Sequence, residues 1–161
     1  MNFRPEWKTA LALAMPILAC FWAYGGLALG LIPFEQDNVL MYSPLYSLKW
    51  DEGPPLWNPY SMSGASVYDN LQFSFLYPIR WPFYFLSDWR SYLGLFNFIH
   101  FLIALAGCAL FLRRMGMSRS AWVLGTLVLL FGGNLRGRLL NPTILYGYCW
   151  IPLLLYGALG Q

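Results

Sequence analysis

The chain has 161 residues, 58% of them hydrophobic and only 11% charged, with a formal net charge of +3. Soluble domains carry about 25% charged residues, so the composition excludes an ordinary water-soluble domain and places the chain in the membrane class. The 10 Lys and Arg residues are scattered and form no basic stripe, which excludes nucleic acid as a partner.

In chain order, residues 1–8 are a short polar start with Arg4 and Lys8. Residues 9–33 are apolar and long enough to span a hydrocarbon core of about 30 Å. Pro16 is a point for a kink, and Gly25, Gly26 and Gly30 offer small surfaces for helix packing. Arg4, Lys8 and the Ala28-Leu29-Gly30 pattern also fit a cleaved secretory leader. The apolar run is longer than a leader's, and further spans follow, so we read it as a span.

Residues 34–92 form a long loop holding six of the seven acidic residues: Glu35, Asp37, Asp51, Glu52, Asp69 and Asp88. Within it, Pro54, Pro55 and Pro59 exclude a regular helix or central strand. Trp57 and Tyr60 suit a membrane–water boundary. From Phe73 to Trp89 the loop is too aromatic for free solution. Pro78 and Pro82 break it, and Arg80 makes a continuous crossing costly, so this stretch lies in the interface or dips into the membrane edge. Arg80 itself reads either as a lipid-phosphate contact or, more simply, as a headgroup anchor.

Three more spans follow, at about 93–112, 120–135 and 142–160. Gly94 and Gly107 are expected packing points in the second. Cys20, Cys108 and Cys149 lie in apolar stretches without metal-ligand spacing and read as buried fillers. With a cytoplasmic start, Arg4, Lys8, Arg113, Arg114 and Arg119 lie inside and Lys49, Arg80, Arg90, Arg136 and Arg138 outside. That is a tie in number, but the dense turn from Arg113 to Arg119 places the long loop outside the cytoplasm. The expected fold is an all-α integral membrane protein. It is a single domain over 1–161, with about four transmembrane helices and a long extracytoplasmic first loop carrying interfacial helical and aromatic segments.

The run Gly53-Pro54-Pro55-Leu56-Trp57-Asn58-Pro59-Tyr60, closing at Gly64, resembles a segment of the YfhO-like bacterial membrane proteins. These are grouped with the multispanning GT-C glycosyltransferases. The similarity continues in order through Leu76-Tyr77-Pro78, His100, the turn from Leu112 to Ser118, Leu130-Phe131-Gly132-Gly133 and Trp150-Ile151-Pro152-Leu153. It covers most of the chain from about Asp37 and corresponds to the N-terminal portion of those longer proteins. The resemblance implies a bacterial inner (cytoplasmic) membrane location with a cytoplasmic N-terminus. It also implies sugar transfer from a polyprenyl-phosphate donor on the extracytoplasmic face, as part of a longer chain and not by 161 residues alone.

Such transfer needs a base for the acceptor hydroxyl and cationic help for the departing phosphate. Asp37, which falls where these enzymes place a first-loop acid, is the first candidate base, and Asp69 the second. Each also reads as a plain loop carboxylate, Asp69 in an Asx-type turn with Asn70. Asp51 and Glu52 read as a solvated pair. A divalent metal ion is compatible with two carboxylates but required by no spacing, so no metal ligand and no cofactor is assigned.

Arg136 and Arg138 suit a lipid phosphate or simple headgroup anchoring. Trp57 and Asn58 suit stacking on sugar or bracing of the loop. His100, one turn from Asn97, suits a substrate contact or an interhelical hydrogen bond. The bilayer and the sugar donor are the expected partners, with other membrane subunits in the alternative reading. In that alternative the chain is a non-catalytic transmembrane subunit of a larger assembly.

Overall fold

The computed structural model describes residues 6–32, 56–59, 63–68, 76–83 and 88–159. It is built almost entirely of helices, in a bundle whose core runs through all four long ones. Among the described residues three segments are long and apolar enough to cross a membrane: Trp7–Ala28, Trp89–Arg114 and Arg119–Leu140.

Helix α1 spans Glu6–Ala28 with Pro16 inside it. It ends where Gly30 adopts φ 78°. The Gly30 amide then donates to Leu27 O at 2.9 Å and the Leu31 amide to Gly26 O at 2.9 Å. This is the double closure that a left-handed residue just past a helix permits, and glycine adopts that conformation without a Cβ penalty. Gly26 therefore serves the cap, packing under Leu31, while Gly25 faces open space. Neither is the interhelical contact expected from the sequence.

Helix α2, Trp89–Arg114, is longer at both ends than the expected 93–112. The reason is local. The Asp88 carboxylate accepts from the Ser91 amide at 3.0 Å and the Ser91 hydroxyl at 2.8 Å, which fixes the start of the helix inside the aromatic stretch. Those bonds also hold the Asp88 carboxyl below its ordinary value. At the far end Gly116 repeats the α1 closure, with Met117 N on Leu112 O at 3.1 Å. The Ser118 hydroxyl then caps α3, Arg119–Phe131.

The third apolar segment is not one smooth helix. Gly132 sits at φ −61°, ψ 140°, and the path resumes as the short α4, Gly133–Gly137, and a 3-10 turn, Arg138–Leu140. Helix α5, Pro142–Ala158, opens on a proline, whose missing N–H costs nothing in a first turn. Its 17 residues rise only about 26 Å.

Helices α1 and α2 are antiparallel: Phe21 packs on Phe98, Tyr24 stacks on Phe101 at 4.3 Å, and Leu27 meets Gly94. The Tyr24 hydroxyl donates to Leu130 O at 2.9 Å, tying α1 to the end of α3. Helices α2 and α5 run in the same direction, as three levels show. His100 packs on Tyr146, Gly107 meets Leu153, and the Arg114 guanidinium donates to Leu159 O. Gly94 and Gly107 are the packing points expected: a Cβ would lie 2.0 Å from Leu27 O at one and 2.8 Å from Leu153 N at the other. Cys20 and Cys149 are fully buried in the core cluster.

Candidate functional site

Trp57 and Asn58, from the Pro-rich stretch, belong to a small antiparallel hairpin. Strands β1, Trp57–Asn58, and β2, Ala65–Ser66, pair antiparallel, with Trp57 opposite Ser66 and Asn58 opposite Ala65. The return depends on Ser63 at φ 63° and Gly64 at φ 111°. A Cβ on Gly64 would lie 2.4 Å from the Trp57 ring, so the indole rests directly on the glycine backbone. Trp57 stays 58% exposed, while Asn58 is buried and engaged within the protein. The two neighbours thus part company: Trp57 presents an open aromatic surface and Asn58 is packed away from solvent.

A second constellation lies inside the bundle. A 3-10 helix, Pro78–Phe83, packs on the first half of α2. Just before it, the Tyr77 hydroxyl sits 2.8 Å from His100 Nε2 and 2.5 Å from Trp150 Nε1. His100 Nδ1 lies 2.7 Å from the Phe96 carbonyl. The proton positions follow from which groups can only donate or only accept. The carbonyl only accepts, so Nδ1 carries the hydrogen. The indole only donates, so the Tyr77 oxygen receives it and passes its own hydrogen to His100 Nε2.

The result is a chain of three bonds from α5 through the inter-span segment to α2, with the imidazole neutral. A second proton on Nε2 would leave the Tyr77 hydrogen without its acceptor. His100 lies about 16 Å along α2 from its first residue, fully buried, boxed by Phe96 at 4.6 Å and Tyr146 at 4.3 Å. Both ring nitrogens are taken by protein groups, so this arrangement holds elements together and leaves His100 no free atom for a substrate. Asn97 is not among the members of this chain of bonds. It is 1% exposed, and its Oδ1 has no hydrogen-bond partner among the described residues.

Arg80 departs most from expectation. It is fully buried, its Nε donates to the Tyr92 hydroxyl, and its guanidinium lies 5.5 Å over the Tyr92 ring. Phe83 stacks edge-on against both Tyr92 and Phe96 and closes the aromatic cover. Headgroup anchoring is therefore not its role. The segment seats its arginine inside the protein, where a charge is tolerated only with partners.

Arg138 lies 5.3 Å over Tyr148, and Arg136 is exposed on α4. Among the described residues no hydrogen bond or ring contact joins either to His100. Asp37 and Asp69 lie outside the described residues, as do Asp51 and Glu52. Among the described residues no three His, Cys, Asp or Glu side chains gather in reach of one metal ion.

Tyr77, Tyr92, Tyr146 and Trp150 were not singled out as site residues from the sequence. For Tyr77 and Trp150 a signal was present in Leu76-Tyr77-Pro78 and Trp150-Ile151-Pro152. No family model matches the chain, and neither a curated protein nor a solved structure matches it. Fold and composition together define an α-helical membrane protein.

Proposed function

We infer that the chain supplies the N-terminal module of a GT-C-like membrane glycosyltransferase, taking sugar from a polyprenyl-phosphate donor on the extracytoplasmic face of a bacterial inner membrane. In this reading α5 is a fourth span, the N-terminus is cytoplasmic, and the turn from Arg113 to Arg119 lies inside. The single observation that supports it is Trp57. A large, half-open indole held on a backbone-locked hairpin between two spans is a ready stacking surface for a sugar ring, and aromatic faces are favoured where one side is apolar and the other wet. Asp37 is the base, with Asp69 second. Arg136 and Arg138 meet the donor phosphate.

The test is sugar incorporation into envelope polymers in cells carrying the natural chain, Asp37→Asn or Trp57→Ala. Asp37→Asn is expected to lower incorporation by about a hundredfold or more. Trp57→Ala is expected to lower it about tenfold through weaker sugar binding, with Trp57→Phe retaining most of it. Unchanged incorporation in Asp37→Asn removes that residue from the mechanism.

The non-catalytic subunit keeps one observation of its own. α1 leaves Trp7, Leu18 and Trp22 widely exposed, the last by 85%, which is as fit for partner helices as for lipid. Stoichiometric co-isolation with other membrane proteins in mild detergent, together with normal incorporation in Asp37→Asn, would favour it.

A further inference from the structure

The bundle is not filled at its basic end. Between α1, α2 and α3 runs a groove of about 490 Å³, walled by Pro16, Phe21, Leu102 and Leu105 among others, with Arg113 and Trp122 in its lining. Its α1 side extends from Thr9 to Phe21, about 18 Å of helix. That is close to the depth of one leaflet, half of a core of about 30 Å.

Three features say what chemistry the groove accepts. Among the described residues no carboxylate lines it. The two adjacent arginines divide their duties. Arg114 donates to Leu159 O and covers Tyr156, while the exposed Arg113 side chain has no hydrogen bond or ion pair among the described residues. The Trp122 indole N–H is closed off, so an occupant meets that ring through its carbon atoms. The Thr126 hydroxyl already donates to Trp122 O at 2.7 Å and asks nothing of an occupant.

We propose that this groove is a binding site for an anionic phospholipid, one acyl chain lying along the apolar wall and the phosphate on Arg113. A guanidinium grips phosphate oxygens with paired donors. The inference does not depend on glycosyl transfer. It would hold equally for a non-catalytic subunit.

The full chain is reconstituted in nanodiscs of phosphatidylcholine with or without phosphatidylglycerol, and the lipid retained after mild release is counted by native mass spectrometry. One phosphatidylglycerol per chain is expected, retained in preference to phosphatidylcholine. Arg113→Gln, at an exposed position, is expected to lower its retention about tenfold. Arg119→Gln makes the same charge change in the same turn but does not line the groove, and is expected to stay within about twofold.

Ala106→Phe, which fills the groove without changing charge, is expected to lower retention of both lipids at an unchanged helical circular dichroism signal. Equal losses in the two arginine variants would reduce the effect to general attraction of a basic turn for an anionic surface and overturn the site. Equal retention of the two lipids by the natural chain, or normal retention in Ala106→Phe, would overturn it as well.

Discussion

The two halves of the bundle solve the same problem in opposite ways. At the end where α2 begins, polar groups are taken into the interior and matched: His100, Tyr77 and Trp150 form a closed chain, and Arg80 lies against Tyr92. At the end where α2 finishes, the wall is apolar, α5 is drawn close by the missing side chain at Gly107, and space remains between α1 and α3. In a bilayer the hydrophobic effect does not drive helices together, so contact comes from close packing or from hydrogen bonds. Hydrogen bonds set the first half apart, although Gly94 also brings α1 against α2 there; the second half has the apolar wall and the open space. The first half is held by specific bonds, and the second leaves room for an occupant.

The comparison breaks most severely at Gly94, where any Cβ meets a carbonyl. Gly94→Val should cost about 3 kcal/mol, read as the shift in unfolding by SDS in mixed micelles. Gly25→Ala, facing open space, should change stability by less than about 1 kcal/mol, in the stabilising direction. Equal costs would mean that α1 and α2 do not meet where described.

Next comes the hydrogen-bond chain. Tyr77→Phe leaves both the Trp150 N–H and His100 Nε2 without their partner and should cost about 1–2 kcal/mol in the same assay. Trp150→Phe added to Tyr77→Phe should cost less than the sum of the separate changes, because each removes the same bond. Strict additivity would show that the chain is not formed.

Asp88→Ala should lose about 1 kcal/mol of helix capping. The sign with pH follows from its lowered folded-state value. The contribution is full above the ordinary carboxylate pKa and disappears as pH falls through the depressed value, so natural chain and variant should converge in acid. The smallest effect belongs to Trp57→Ala, whose exposed ring should leave bundle stability within about 0.5 kcal/mol while sugar incorporation falls.

Much of the bundle was legible in the sequence because span length, apolar runs and small residues are local signals. Gly94 and Gly107 were expected at helix contacts and are found there. The start of α2 at Trp89 was less visible. Its cap, Asp88 with Ser91, sits in an aromatic stretch that reads as loop until the carboxylate is seen to accept. The apolar run was seen to close at Gly132-Gly133, where α3 ends, but the short helix α4 that follows was not visible.

The site was harder. Trp57 and Asn58 stood out as a pair, yet only burial separates their roles. His100 stood out as the single histidine, but its partners come from elsewhere in the chain. One is 23 positions back, and that partner's other bond reaches 73 positions ahead. No periodicity relates residues so placed. Arg80 was read as surface because a lone arginine beside two prolines looks wet, and nothing local announces that Tyr92 and Phe83 will cover it.

That α2 and α5 lie side by side in the same direction has a bearing on how the protein is made. Two such helices cannot enter a bilayer as a hairpin: the chain must first travel back as α3. During synthesis Tyr77 therefore emerges early and can meet His100 while Trp150 is still unmade. The last of the three bonds closes only on the arrival of α5, and until then the tyrosine oxygen waits for its indole.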